Sequence, residues 1–289
     1  MEGGTHRMAY WEWNATGNAQ HPHVIVCAHG LARQGRDFDV LAQNLSWHAR
    51  VICPDVVGRG QSDWLDDPQS YQVPQYVADM LALLTQIHAQ APIGQLDWVG
   101  TSMGGLIGMG LAGQPGLPLP VPVRRLVLND VGPVIAWAAL QRIGQYLGKP
   151  VHFVSMEQAA AALWAISSSF GPHTQQQWMA LSRPMVRELP GGGLGLHYDP
   201  AIATPFGDLT EQLAQAGEAM LWHLYDNIKA QTLLLRGAES DLLSETTALE
   251  MTQRGPCARL VEIPGVGHAP TLVADEQVQV VASFLLESA

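Results

Sequence analysis

Six short apolar runs constrain this chain more than any other feature of it. They are HVIVCAHG (23–30), RVICPDVVG (50–58), LDWVG (96–100), RRLVLNDVG (124–132), QTLLLRGAESD (231–241) and ARLVEIPGVGH (258–268). A strand that is apolar at nearly every position buries both of its faces. Between the runs lie segments with helical spacing. In 36–45, Phe38, Leu41 and Leu45 recur three and four apart; VPQYVADMLALLTQI (73–87) has a strong helical period; DEQVQVVASFLLE (275–287) opens with acidic residues that suit a helix N-terminus. This alternation predicts an α/β fold, a mostly parallel sheet with helices on both faces.

Residues 133–228 interrupt the alternation. They are rich in Ala, Gln, Trp and Met, carry helical patches at 155–166 and 207–226, and contain no β-rich run. They are expected to form an inserted helical cap subdomain over the working edge of the sheet, leaving a core domain of 1–132 and 229–289. LPGGGLGLHYDP (189–200) reads as a flexible loop of the insert, because no strand precedes its glycines and no GK[ST] follows them. The aromatic residues of the insert, Trp137, Tyr146, Phe153, Trp164, Phe170, Trp178, Trp222 and Tyr225, either pack it onto the core or line an apolar pocket. Which they do depends on the face each helix turns inward.

The 289 residues are 47% hydrophobic, ample for a large buried core, and carry a formal net charge of −11. An acidic chain without a basic run is a poor partner for nucleic acid or an anionic membrane surface. No run approaches the ~18 apolar residues of a membrane span. The N-terminal stretch has no apolar segment of secretory-signal length, so a reducing cytoplasm is the expected location. Cys27, Cys53 and Cys257 have no metal-ligand spacing, and their odd number argues against a disulfide framework. Cys27 and Cys53 lie in strand-like runs and are expected as buried thiols. No metal or cofactor is expected, and no feature encodes the oligomeric state.

Gly100-Thr101-Ser102-Met103-Gly104 fits G-x-S-x-G, with a strand before it and the helix-like GGLIGMGLAG after it. A nucleophilic serine sits on a sharp strand-to-helix turn, where neighbouring side chains would crowd its approach. Gly100 and Gly104 relieve that crowding, and the N–H of Met103 falls at a helix N-terminus that favours an oxyanion. Such a serine needs a base. Of eleven histidines, His268 stands on a glycine-flanked turn after the last strand, whereas the others lie in tails, helices, the insert or the first loop. The base in turn needs an acid. Asp241 and Asp130 both follow strands at the carboxyl edge of the sheet, where open α/β proteins place their sites. Asp241 is the favoured acid, Asp130 a loop-capping or supporting residue, and Glu239 the lesser alternative. In AHGLARQGRDF, His29 shapes the loop, Gly30 turns the chain, and the N–H of Leu31 can supply a second oxyanion donor.

These motifs, in this order, resemble the α/β-hydrolase fold superfamily: the HG loop at 29–31, PDVVGRGQSD at 54–63, the elbow at 100–104, RGAESDLLS at 236–244 and GVGHAP at 265–270. The resemblance covers essentially the whole chain. It implies Ser102 as nucleophile, Asp241 as acid, His268 as base and Leu31 and Met103 as oxyanion donors. It implies a capped serine hydrolase that cleaves small, fairly apolar carboxylic esters through an acyl-enzyme. A carbon–carbon bond hydrolase of the meta-cleavage type, a lactonase or perhydrolase, and a non-catalytic ligand receptor are the alternatives. Haloalkane dehalogenase-like and epoxide hydrolase-like members carry aspartate at the elbow, and Ser102 sets this chain apart from them. Arginines of the insert near the pocket, such as Arg142, Arg183 or Arg187, would favour a carboxylated substrate.

Overall fold

The computed structural model describes residues 5–287. Its core is a seven-stranded sheet of order β1-β3-β2-β4-β5-β8-β9. The strands are β1 (Tyr10–Trp13), β2 (His23–Ala28), β3 (Arg50–Pro54), β4 (Gln95–Thr101), β5 (Val123–Asn129), β8 (Gln231–Gly237) and β9 (Arg259–Ile263). All neighbours pair in parallel except β1, which runs antiparallel on β3. The six expected strands are therefore present. The edge strand β1 has no apolar run to announce it, because YWEW is only partly buried and its Glu12 is exposed.

Two-residue alternation sends neighbouring side chains of each central strand to opposite faces. Val24, Val26 and Ala28 pack on one side with Trp98, Leu126 and Leu234. Ile25 and Cys27 pack on the other with Val51, Val99, Val127 and Leu233. Both layers exclude water, which is why these strands read as continuous apolar runs. The helices are α1 (Asp39–Leu45), α2 (Val73–Gln90), α3 (Met103–Gly113), α4 (Trp137–Gly144), α5 (Met156–Ser167), α6 (Gln175–Ser182), α7 (Thr204–Gly207), α8 (Glu211–Asn227), α9 (Glu245–Met251) and α10 (Asp275–Leu286). Helix α2 brings Tyr76, Met80, Leu83 and Leu84 to the first layer. Helices α1 and α10 bring Leu41, Leu45, Val281 and Phe284 to the second.

The segment between β5 and β8 holds α4 to α8 and, contrary to the all-helical expectation, a short antiparallel hairpin of β6 (Val186–Glu188) and β7 (Leu194–Leu196). The glycine-rich stretch makes its turn, with Gly191, Gly192 and Gly193 all at positive φ. Polar contacts hold this segment to the loops at the carboxyl edge of the sheet. Gly60 N–H donates to the His197 carbonyl (3.0 Å), Asp199 N–H to the Gly58 carbonyl (2.7 Å), and the Tyr71 hydroxyl to Asp199 (2.6 Å). Arg33 reaches the Leu181 carbonyl, Gln34 the Pro184 carbonyl, and Ser169 the His268 carbonyl. Among the described residues no helix is long and apolar enough to cross a membrane.

Candidate active site

The turn between β4 and α3 places Ser102. It has φ 52° and ψ −116°, a left-handed conformation that a residue with a side chain adopts only when its surroundings impose it. The surroundings here are backbone. A Cβ on Gly100 would overlap the Gly104 carbonyl, and one on Gly104 would overlap the Ala28 carbonyl of β2. The indole N–H of Trp98 donates to the Gly104 carbonyl (2.9 Å), and Ser102 N–H donates to the Asn129 carbonyl (3.0 Å). The start of α3 is thus pressed onto the sheet, and the serine hydroxyl is left at the carboxyl edge.

His268 follows β9 and meets that hydroxyl, its Nε2 lying 3.0 Å from Ser102 Oγ. Its Nδ1 lies 2.7 Å from Asp130 Oδ2. Asp130 is fully buried at the end of β5, the strand next to β4, and also has positive φ (55°). Its carboxylate accepts the Gly237 N–H on Oδ1 (2.9 Å) and the Ser240 O–H on Oδ2 (2.6 Å). Ser240 is itself held, because its Oγ accepts the N–H groups of Leu242 and Leu243. The carboxylate therefore has three donors around it, and the Nδ1–H of a neutral His268 is one of them. This leaves Nε2 as an acceptor for the serine proton.

Asp241 does not reach His268, which corrects the expectation for the acid. The turn at Ser240 carries it outward, where its 47%-exposed carboxylate forms a two-pronged ion pair with Arg142 of α4 (2.7 and 2.9 Å). Glu239 is exposed as well. The signal for Asp130 is its position directly after β5, a position that the reading favouring Asp241 after β8 assigned to a loop-capping or supporting residue.

The first loop is built with equal care. His29 is buried, and the Val56 N–H donates to its Nε2 (2.9 Å), so the ring proton sits on Nδ1 and is donated to the Gly30 carbonyl (2.7 Å). Burial pushes the His29 pKa down to about 3, which keeps the ring neutral. The Gly30 carbonyl shares a peptide with the Leu31 N–H, and in a trans peptide the two point in opposite directions. His29 thereby sets the direction of the Leu31 N–H. Met103 opens α3, where the first N–H groups have no partner within the helix.

Arg59, a residue the motif reading passed over, joins the two. It is fully buried and has no ion-pair partner among the described residues. Its Nε donates to the Leu31 carbonyl (2.8 Å), Nη1 to the Val57 carbonyl (2.7 Å) and the Tyr76 hydroxyl (3.1 Å), and Nη2 lies 3.7 Å from the Met103 sulfur. Its guanidinium also lies over the rings of Tyr76 and Tyr71.

Ser102 and His268 open into a cavity of about 350 Å³ together with Gly30, Leu31 and Thr101. Its walls are mainly apolar and come from the segment between β5 and β8: Ile143, Leu147, Phe153, Leu163, Ile166, Phe170, Met185 and Leu196. Of the aromatic residues in that segment, Tyr146, Phe153, Phe170 and Tyr198 line the cavity. Trp164 and Trp178 pack edge-to-face on each other, as do Trp222 and Tyr225. Arg142 borders the cavity, whereas Arg183 and Arg187 do not.

Comparison with known proteins agrees with this architecture. The family described as alpha/beta hydrolase fold matches residues 23–275. A 3-hydroxybutyrate-oligomer hydrolase from Cupriavidus necator is 50% identical over 284 residues, 97% of this chain and 93% of its own. An alpha/beta hydrolase from Novosphingobium aromaticivorans superposes with a TM-score of 0.79 at 35% identity, covering 97% of this chain and 98% of the other. A chain from Rickettsia typhi, proposed to be a hydrolase, superposes with a TM-score of 0.85 at 32% identity, covering 98% and 92%.

Proposed function

The chain is a hydrolase of the α/β-hydrolase fold family, and from that premise we propose that it is a serine esterase acting on short oligomeric esters of 3-hydroxybutyrate. One observation carries the reading: the hydrogen-bonded line Ser102–His268–Asp130 ends at the floor of a mainly apolar cavity. The substrate class is supported by the relative from Cupriavidus necator, whose name states that chemistry. A cavity of about 350 Å³ is within the range of small-ligand sites and suits a few hydroxybutyrate units better than a polymer.

In this reading Ser102 Oγ attacks the ester carbonyl while His268 Nε2 takes its proton. Asp130 holds the Nδ1–H and stabilises the imidazolium that forms. The N–H groups of Leu31 and Met103 receive the oxyanion, at a place set in advance by His29 and by the start of α3. His268 then gives its proton to the leaving alkoxide, which departs as the hydroxyl end of a shorter oligomer. Water repeats the sequence on the acyl-enzyme and releases the acid. The segment 133–228 acts as a cap whose apolar walls keep bulk water from the acyl-enzyme. The free thiols Cys27, Cys53 and Cys257 suit a reducing compartment, and residence in the cytoplasm belongs to the same proposal.

The test is turnover of p-nitrophenyl butyrate and of the linear 3-hydroxybutyrate dimer and trimer by the wild type and by Ser102→Ala. Hydrolysis of all three that is lost in the variant, with labelling of Ser102 by a fluorophosphonate, is the expected result. Wild-type turnover of the p-nitrophenyl ester alone would retain the esterase and remove the oligomer. Neither turnover nor labelling would overturn the reading.

A further inference from the structure

The charges around the cavity run against those of the whole chain. The protein carries a formal net charge of −11. Yet the residues lining the cavity include Arg33, Arg142 and Lys149 and no aspartate or glutamate among the described residues. Two of the three cations are already neutralised from outside the cavity. Arg33 is paired with Asp37 (2.7 and 2.6 Å), and Arg142 with Asp241. Neither of those carboxylates lines the cavity. Lys149 is different: its side chain makes no ion pair or hydrogen bond among the described residues, and it stands exposed at the mouth, five residues beyond the end of α4.

We propose that Lys149 receives the free carboxylate of the substrate. This rests on the ester-hydrolase reading and deepens it. A linear hydroxybutyrate oligomer has one hydroxyl end, one carboxylate end and no other charge. An apolar wall grips its methyl and methylene groups but gives them no direction along the chain. A single unneutralised cation at the mouth supplies direction, because only one end of the oligomer carries a charge. The oligomer therefore enters with its carboxylate toward solvent and its ester groups toward Ser102. The enzyme is specific for oligomers with a free acid end, and a polyester chain whose carboxylate is distant or blocked is a poor substrate.

Binding measured without turnover tests this apart from the catalytic reading. The 3-hydroxybutyrate dimer, as the free acid and as its methyl ester, is titrated calorimetrically into Ser102→Ala protein. The acid is expected to bind about tenfold more tightly than the methyl ester at low salt, the size of a partly exposed charged hydrogen bond. The preference is expected to fall to about onefold in Ser102→Ala/Lys149→Met, and to persist in Ser102→Ala/Lys149→Arg. Raising the ionic strength should erode it. Because both ligands are measured on one preparation, a partly unfolded variant weakens both and leaves their ratio intact. Equal binding of acid and ester, no binding of either, or a preference that survives Lys149→Met would overturn the inference. Failed turnover of the dimers by the wild type, with the binding preference intact, would count against the oligomer hydrolase reading alone.

Discussion

His268 Nδ1 lies 2.7 Å from Oδ2 of Asp130, a fully buried aspartate at the end of β5. The carboxylate is placed on β5 rather than β8, held by the Gly237 N–H and the Ser240 hydroxyl, and out of contact with water. A carboxylate so placed fixes both the tautomer of His268 and the direction of its Nε2.

Asp130→Asn should therefore lower kcat by about a thousandfold or more, because the amide no longer requires the proton to sit on Nδ1. Asp241→Asn should leave kcat within about twofold and act only through its surface pair with Arg142, a contact of little energetic weight. Steady-state kinetics of the two variants on p-nitrophenyl butyrate decides the matter. The reverse ranking would return the acid to β8.

Arg59 predicts a second split. Arg59→Met removes the donor to the Leu31 carbonyl and leaves that carbonyl and the Tyr76 hydroxyl short of a partner. The Leu31 loop loses its alignment with the start of α3. The expected outcome is a fall in kcat of about a hundredfold with a small change in KM, the pattern of an impaired oxyanion site. Labelling of Ser102 by a fluorophosphonate should slow in parallel. Arg59→Lys restores the charge without the planar fork and should recover only part of kcat. A loss confined to thermal stability, with kcat of the folded fraction intact, would make Arg59 a packing residue.

His29 predicts a pH dependence of stability. Its folded pKa is pushed down to about 3 by burial, while the unfolded value is near 6.5. Between those values the unfolded chain holds a proton at this position that the folded chain lacks. Stability contributed by the neutral ring is therefore full above pH ~6.5 and declines as the pH falls toward ~3, by up to about 1.4 kcal/mol per pH unit. Burial also raises the carboxyls of Asp37, Asp55 and Asp79 above the usual carboxylate range, and they act in the opposite sense. The observable is thus a difference. Urea midpoints of the wild type and His29→Asn, measured from pH 7.5 to 4, should converge as the pH falls. Parallel curves would show that His29 titrates normally in the folded state.

Local chemistry written in single segments was open to reading before any contact was known. The six apolar runs are strands because both faces of each central strand meet a hydrophobic layer, and a residue between two such layers has to be apolar whatever its neighbours are. The serine turn was equally plain, since Gly100 and Gly104 answer a steric demand that lies within five residues and one adjacent strand. His268 stood out because a single glycine-rich turn follows the last strand. Contacts between distant segments were decided by the tertiary structure. Asp130 and Asp241 each follow a strand at the same edge of the sheet, and sequence order does not say which one the His268 ring will face. Strand order does: β5 lies directly beside β4 and Ser102, while the Ser240 turn after β8 carries Asp241 out to Arg142. Likewise Arg59 became a clamp on Leu31 and Met103, and Lys149 a cavity-lining cation unpaired among the described residues, only once chain segments far apart in sequence were packed together. Periodicity records the environment of each side chain, whereas a site is a distance between side chains, and only the folded backbone sets that distance.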